Sequence, residues 1–211
     1  MPNAGPPAPV TDSLPPGLTP LTDAEAEEAE SKCAGLSKAL AEAVRADKSG
    51  RGRVEVILEA LQRGVTAPGV DAPRCADLIR RDLLIYRARM IESEAINNIK
   101  MISLGLASAS SADPRTVCPS AGPTPPDLAA LQRAPVGAPA TAWRTPGWSC
   151  VRFQPQAPLR FQYELRTDPS AMTYEIVARG FPVAGQPAIE LFQQGRAENG
   201  AFQPSSDVLR R

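Results

Sequence analysis

The longest patterned stretch of the chain lies between residues 71 and 109, where apolar residues recur every three or four positions. They are Ile79, Leu83, Tyr86 and Met90, then Ile91, Ala95, Ile99, Ile102 and Leu106. This spacing places them along one side of an α-helix, which Ile85 and Ile96 widen. We therefore predict a helix from about Asp71–Pro73 to about Ala109, longer than a small domain needs.

Two shorter helical patterns precede this stretch. Thr22 and Glu25 form a capping box that starts the first helix, which extends to about Asp47. A glycine-containing turn at 48–53 leads to a second helix at about 53–63. Residues 22–70 are therefore predicted to be a helical hairpin whose early glutamates face solvent. The seven prolines of residues 1–21 predict a disordered, proline-rich tether before it.

The last third of the chain changes from helical spacing to alternation. Apolar and polar residues alternate at 159–165 and again at 172–179, and "TDPSA" between them supplies a turn. Val151–Phe153 and Ile189–Leu191 are shorter candidates, and the composition of 110–147 predicts a long loop. We expect an α+β fold in which residues 71–211 pack the long helix on an antiparallel meander of three or four strands.

Composition narrows the classes of function. The chain of 211 residues contains no histidine, which excludes Ser-His-Asp and Cys-His catalytic groups and histidine-ligated zinc. Its formal net charge is zero and its pI is about 6.4, so we expect no nucleic-acid partner. We find neither a signal peptide nor an apolar run of the roughly 20 residues that a membrane-spanning helix needs.

Four widely separated cysteines are the main clue to the compartment: Cys33, Cys75, Cys118 and Cys150. They form no C-x-x-C pair, so neither a zinc ribbon nor a thioredoxin-like centre is indicated. Two disulfides in the periplasm or outside the cell would explain the even number, and four unpaired thiols in a cytosolic protein are the alternative. Sequence leaves three pairings open. We favour Cys33–Cys75 and Cys118–Cys150, because each pair closes a loop within one region.

Part of the long helix also resembles a known family. "LLIYRARMIESEAINNIKMIS" (83–103) resembles the middle of the first helix of type IV pilins and pseudopilins, particularly those of myxobacteria and other deltaproteobacteria. The matching positions are Tyr86, Ser93, Glu94, Ala95, Asn98, Lys100 and Ile102. Trp148 before the first strand, "PLRFQY" (158–163) and "YEIVARG" (174–180) extend the resemblance over about residues 83–192.

The resemblance implies a pilin-like αβ-roll with a non-catalytic role outside the cytoplasm. Such a protein would act through contacts with other subunits, as an accessory or minor component of a pilus or secretion assembly or in cell adhesion, without cofactor or metal. Two features depart from the family. Residues 1–82 stand where the apolar anchoring half of the helix is expected, and "FPVAGQPAIELFQQG" (181–195) replaces an Asp/Gly-rich turn, so we expect no calcium site.

The candidate contact residues are Trp143 and Trp148. Tryptophan is enriched where proteins bind each other, so we expect these side chains either to be exposed on the 110–147 loop or to cover the core beside a strand. Asn97 and Asn98 are two adjacent polar residues in the middle of the long helix. We expect both side chains to point sideways, toward that loop and solvent.

Two other functions stay open at this point. A periplasmic ligand-binding module on the same scaffold would require a substantial apolar pocket. A carboxylate-based hydrolase would use Glu92 or Glu94 together with Asp113, but the two glutamates are two residues apart on a helix and so do not face each other. A pocket with convergent carboxyl groups would favour the enzyme.

Overall fold

The computed structural model describes residue 14 and residues 18–113, 117–155, 158–183 and 185–211. Most of the predicted tether therefore lies outside the described residues. The chain divides into two compact units, of which one is Gly17–Arg89 and the other contains Met90–Arg211. This division falls inside the long helix, whereas the sequence analysis placed the domain boundary at residue 70.

The Gly17–Arg89 unit is helical. It contains α1 (Asp23–Lys32), α2 (Ala34–Ala46), α3 (Arg53–Gln62) and the first part of α4 (Ala72–Ala112). Thr22 and Glu25 form the predicted capping box at the start of α1. The single first helix that we predicted is instead broken at Cys33, whose ψ of 5° separates α1 from α2. A disulfide joins Cys33 to Cys75 in α4.

Aliphatic side chains fill the core of this unit. They are Leu36, Leu40, Ile57, Ala60, Leu61 and Leu78, around the buried disulfide. Glu25 and Glu28 do not simply face solvent as expected. Arg81 donates to Glu25 at 2.8 Å and Arg74 to Glu28 at 3.0 Å, which links α1 to α4. These partly exposed ion pairs connect the two helices, and pairs of this kind contribute little to stability.

The sequence pattern misplaced part of the buried side of α4. Tyr86 and Met90, which the pattern placed on the buried side, are exposed, whereas Leu78 and Ala88, which it did not, are buried. Ile85 is buried, as predicted. The second half agrees with the prediction: Ile91, Ala95, Ile99, Ile102 and Leu106 are all buried. An apolar side chain at helical spacing indicates an apolar side, and nothing in the local pattern says whether a neighbour covers it.

The unit that contains Met90–Arg211 is built on a six-stranded antiparallel sheet with β1–β2–β3–β4–β5 in order and β6 beside β4. Its strands are β1 (Ala121–Thr124), β2 (Phe161–Asp168), β3 (Thr173–Gly180), β4 (Ile189–Glu198), β5 (Ala201–Pro204) and β6 (Leu209–Arg210). The predicted meander of three or four strands was therefore too small. β2 and β3 are the two strands that alternation indicated, and β4 extends well past the Ile189–Leu191 candidate.

Between residues 110 and 150, the described residues form more secondary structure than the long loop that we predicted. It contains the end of α4, β1, α5 (Ala130–Arg133), a 3₁₀ turn (Ala140–Arg144) and α6 (Pro146–Cys150). Val151–Phe153 is a turn after α6 and not a strand. A disulfide joins Cys118 to Cys150 and so connects the two ends of this stretch. The cross-link stabilises the folded stretch mainly by restricting the unfolded chain.

The second half of α4 packs on one face of the sheet, as the α+β prediction requires. Ile99 and Ile102 share a core with Phe161, Tyr163 and Leu165, which are the alternate residues of β2. Polar contacts add to this packing. The Ser103 and Tyr174 hydroxyl groups lie 2.9 Å apart, and the Phe202 amide donates to Ser110 Oγ at 3.0 Å.

Candidate functional site

The side of α4 that faces away from the sheet carries unusually exposed apolar side chains. Met90 is 56% exposed, Met101 59% and Leu104 64%. Counted at about 100° per residue, these positions lie on one side of the helix, roughly opposite Ile99 and Ile102. Among the described large hydrophobic residues, the strongly exposed ones all lie on α4. We call Met90, Met101 and Leu104 the outer stripe.

Asn97 and Asn98 have different roles, which the sequence analysis did not separate. Asn97 is exposed, in the middle of the outer stripe. Asn98 does not point toward the loop, as we expected. Its Nδ2 donates a 2.7 Å hydrogen bond to the hydroxyl of Tyr163, so its side chain contacts the sheet. Adjacent helical residues differ by about 100°, so one faces solvent while the next reaches β2.

A turn after α6 forms the wall beside the outer stripe. A groove of about 350 Å³ is lined by Met101, Leu104 and Ser108 on α4 and by the Cys150–Phe153 turn. Gly105 allows α4 to approach this turn closely, because an added Cβ would lie 2.2 Å from the Val151 carbonyl oxygen. Arg152 in the turn has a φ of 52° and is exposed. The stripe therefore adjoins a shallow groove with a basic rim.

The two tryptophans are not surface contacts. Trp143 is 3% exposed and Trp148 is fully buried, and their ring centroids lie 5.5 Å apart. Both rings also lie near Phe153, and the Trp148 indole donates to Thr124 Oγ1 at 3.0 Å. The sequence analysis left two alternatives for these tryptophans, exposure on the 110–147 loop or packing over the core beside a strand. The first is therefore wrong, and the structure supports the second. A single sequence does not tell an aromatic anchor from a core residue.

The carboxyl groups of the hydrolase alternative are not brought together. Glu92 is buried and accepts from Arg210. Glu94 is half-buried, and burial raises its pKa, an effect that Arg160 partly offsets. Asp113 follows the last residue of α4, which places it about 30 Å along the helix from both glutamates at 1.5 Å per residue. These groups form no common site.

The face of the sheet away from α4 carries a closed ring of alternating charge. In order, its members are Glu164, Arg166, Glu175, Arg211, Glu190 and Arg179. Each arginine contacts both neighbouring glutamates, for example Arg166 at 2.8 Å from Glu164 and 2.9 Å from Glu175. Because each charge is paired within the ring, we do not regard this face as a site for an ionic ligand.

The ring covers an apolar floor. Val177 is fully buried and Phe192 is 6% exposed, yet neither belongs to the core beneath α4. The Arg211 guanidinium lies 4.1 Å from the centre of the Phe192 ring. The aliphatic parts of long charged side chains can cover apolar surface while their charged ends stay near water. This face of the sheet is thus already covered, whereas the outer stripe of α4 is left exposed.

The cysteines are paired as the sequence analysis favoured, Cys33 with Cys75 and Cys118 with Cys150. Two disulfides fit an oxidising compartment outside the cytoplasm.

In the described part of the chain, no group of three or more Cys, Asp or Glu residues could hold a metal ion. Within the same residues, none of the helices combines the length and the hydropathy needed to cross a membrane.

The sequence analysis missed the outer stripe, although the sequence contains a signal for it. Met101 and Leu104 do not fall on the Ile99–Ile102 side, so this part of α4 is apolar on two sides.

No protein-family model, curated protein or solved structure matches this chain.

Proposed function

We propose that this chain is a non-catalytic, pilin-like protein of the periplasm or cell exterior, which serves as an accessory or minor component of a pilus- or secretion-type assembly. The observation that carries the proposal is the outer stripe of α4. A helix with apolar residues on two opposite sides has more apolar surface than one sheet can cover. A second subunit seated on Met101 and Leu104 would bury the remainder.

Two further observations support this proposal. A long helix on an antiparallel sheet is the arrangement that the resemblance of residues 83–192 implies, and Asn98 and Tyr163, which both fall within its motifs, are hydrogen-bonded to each other. Two disulfides fit the compartment in which such assemblies are built. Cell adhesion through the same stripe is a variant of the same function, since it also needs an exposed apolar contact.

Site-specific photo-crosslinking in cells that produce the protein tests the proposal. A photoreactive residue at Leu104 should give crosslinks to pilus or secretion subunits, identified by mass spectrometry. The same residue at Glu198, an exposed position at the end of β4, is the matched control and should give none. A photoreactive residue at Met90, in the same stripe, should give the same crosslinks, and the double variant Met101→Glu/Leu104→Glu should fold normally and lose them. Crosslinks of equal strength from Leu104 and Glu198, or none from either, would contradict the proposal.

The ligand-binding alternative predicts a different result. Native mass spectrometry of the protein purified from producing cells would then show a bound small molecule. Substitution of Met101 and Leu104 would release that molecule if the groove beside α6 holds it. A retained small molecule, together with a Leu104 position that crosslinks to no subunit, would replace the proposed function by this alternative.

A further inference from the structure

The outer edge of β4 is shared by two separate segments. Residues Gly195–Glu198 pair with β5, and the earlier part of β4 pairs with β6 through Leu191 with Arg210 and Phe192 with Leu209. The Arg211 amide continues this ladder with a 3.0 Å hydrogen bond to the Glu190 carbonyl. Because β6 itself contains only two residues, main-chain pairing alone would hold it weakly.

Side chains on both faces of the sheet provide the specificity. Val208 is buried in the core beneath α4, and Arg210 reaches Glu92 on the same side. Arg211 points to the opposite face, where it contacts Glu175 at 2.7 Å and also Glu190. Successive residues thus meet alternate sides of the sheet, as in peptides that add a strand to a sheet edge. The edge matches an extended segment with two consecutive arginines.

We propose that the Ile189–Phe192 edge of β4 is a strand-binding site that can accept Asp207–Arg211 from a second copy of this chain in place of its own. The site supplies carboxylates on both faces of the sheet, Glu92 on one and Glu175 with Glu190 on the other. This charge complementarity selects a basic segment, and the buried place of Val208 selects an aliphatic residue ahead of it.

A second copy is the occupant that fits best, because its segment reforms every contact that the first copy gives up. The net cost of such an exchange is then mainly that of bringing two chains together. Ser205 and Ser206, which lie between β5 and this segment, provide the hinge. On its other side, β5 remains in place because the Phe202 ring is buried and its amide donates to Ser110. The inference concerns the sheet edge and does not rest on the outer stripe or on the proposed function.

A charge exchange between Glu92 and Arg210 provides the test. Arg210→Glu in one full-length chain and Glu92→Arg in another each place like charges at a buried contact, which expels the chain's own segment. In an equimolar mixture, the glutamate introduced in one copy meets the arginine introduced in the other, so the charges of that contact are reversed in position. The second contact joins the unmodified Arg210 of one copy to the unmodified Glu92 of the other and keeps the original charges. We expect light scattering and native mass spectrometry to show a one-to-one heterodimer in the mixture. Each variant alone should form no dimer.

The chain that carries both substitutions is the matched control. Its charges are complementary within one copy, so it should fold and behave as the unmodified protein does. A folded double variant with no heterodimer in the mixture would overturn the proposal. Where a single variant does not fold alone, the two are refolded together, and recovery of circular dichroism only in the mixture is the expected result. If joint refolding recovers nothing while the double variant folds, the segment binds only within its own chain and the proposal fails.

Discussion

Asn98 in α4 donates a 2.7 Å hydrogen bond to the hydroxyl of Tyr163 in β2. The Tyr163 ring is fully buried among the side chains that join the helix to the sheet. Burial raises the pKa of Tyr163 well above its usual value, and the hydrogen bond from Asn98 only partly opposes this effect. The phenol is therefore neutral and needs a polar partner inside the core, which Asn98 provides.

The Asn98–Tyr163 contact predicts an asymmetric pair of mutational effects. Asn98→Ala leaves a buried hydroxyl without this donor and should lower the free energy of unfolding by about 1–3 kcal/mol. Tyr163→Phe removes the hydroxyl itself and leaves a partly accessible amide, so about 0.5–1.5 kcal/mol is expected. Urea unfolding of both variants and their combination measures the coupling energy. Strictly additive single effects would show that the hydrogen bond does not contribute to stability.

Ile99 and Met101 lie two residues apart on α4 and should respond very differently to truncation. Ile99 is fully buried against the sheet, so Ile99→Ala should cost about 2–5 kcal/mol through lost transfer free energy and the cavity left behind. Met101 is largely exposed, and Met101→Ala should change stability by less than about 0.5 kcal/mol. Denaturant unfolding of the two purified variants is the measurement. Equal losses would mean that the sheet does not lie on the Ile99 side.

Gly105 should be sensitive to the smallest possible addition. Alanine is the better helix former by about 1 kcal/mol, so an unobstructed helix would gain stability. Here the added methyl group would lie 2.2 Å from the Val151 carbonyl, and we expect Gly105→Ala to lower the melting temperature. Gly137 has no atom within 4 Å of a built Cβ, so Gly137→Ala is the matched control and should be nearly neutral. A more stable Gly105→Ala protein would contradict the close packing.

The main layers of the fold could be predicted because each has a repeating pattern. Ile99 and Ile102 repeat with the helical period, and Phe161 and Tyr163 alternate with polar residues, so each set defines one side of its element. Asn199–Gly200 also carried a readable signal that we overlooked. Both residues have positive φ, 54° and 80°, as the two-residue turn between β4 and β5 requires.

Other parts could not be predicted because distant contacts determine them. β1 contains Gly122 and Pro123, which are poor strand formers, and it pairs with β2 beside the buried Trp148. β6 has only two residues, and its place depends on Arg210 meeting Glu92, 118 residues away in sequence. The outer stripe is a different case. The sequence shows that Met101 and Leu104 lie off the Ile99–Ile102 side, but their exposure depends on which neighbours are absent, and the local pattern does not contain that information.

The ring of charges predicts acid sensitivity in two of its glutamates. Hydrogen bonds from Arg166 and Arg179 lower the pKa of Glu164. Burial raises the pKa of Glu175, but hydrogen bonds from Arg211 and Gln194 outweigh it, so the net pKa is lowered. A lowered folded-state pKa contributes stability above the unfolded value of about 4.3, and the contribution is lost as pH falls through the folded pKa. Stability should therefore decrease below about pH 4.3.

Carboxyl NMR titration can assign this effect to individual contacts. Arg179→Met should raise the Glu164 midpoint and leave Glu175 nearly unchanged, because Arg179 contacts Glu164 but not Glu175. Arg211→Met should do the reverse, since Arg211 contacts Glu175 and Glu190. Salt at about 1 M should move both midpoints toward ordinary values by screening. Midpoints that do not respond to either arginine would mean that the ring is not formed in solution.

The disulfides give the prediction with the widest consequences, because their presence indicates an oxidising compartment as well as adding stability. Thiol titration of the unfolded, unreduced protein should find no free cysteine, and digestion without reduction should recover the Cys33 peptide joined to Cys75 and the Cys118 peptide joined to Cys150. The bonds span 42 and 32 residues, so in the chain-entropy account each should stabilise its unit by about 4 kcal/mol. Cys118→Ala/Cys150→Ala should therefore unfold at markedly lower urea than the unmodified protein. Four free thiols in protein taken directly from producing cells would instead indicate a reducing compartment, and an extracytoplasmic role would then be untenable.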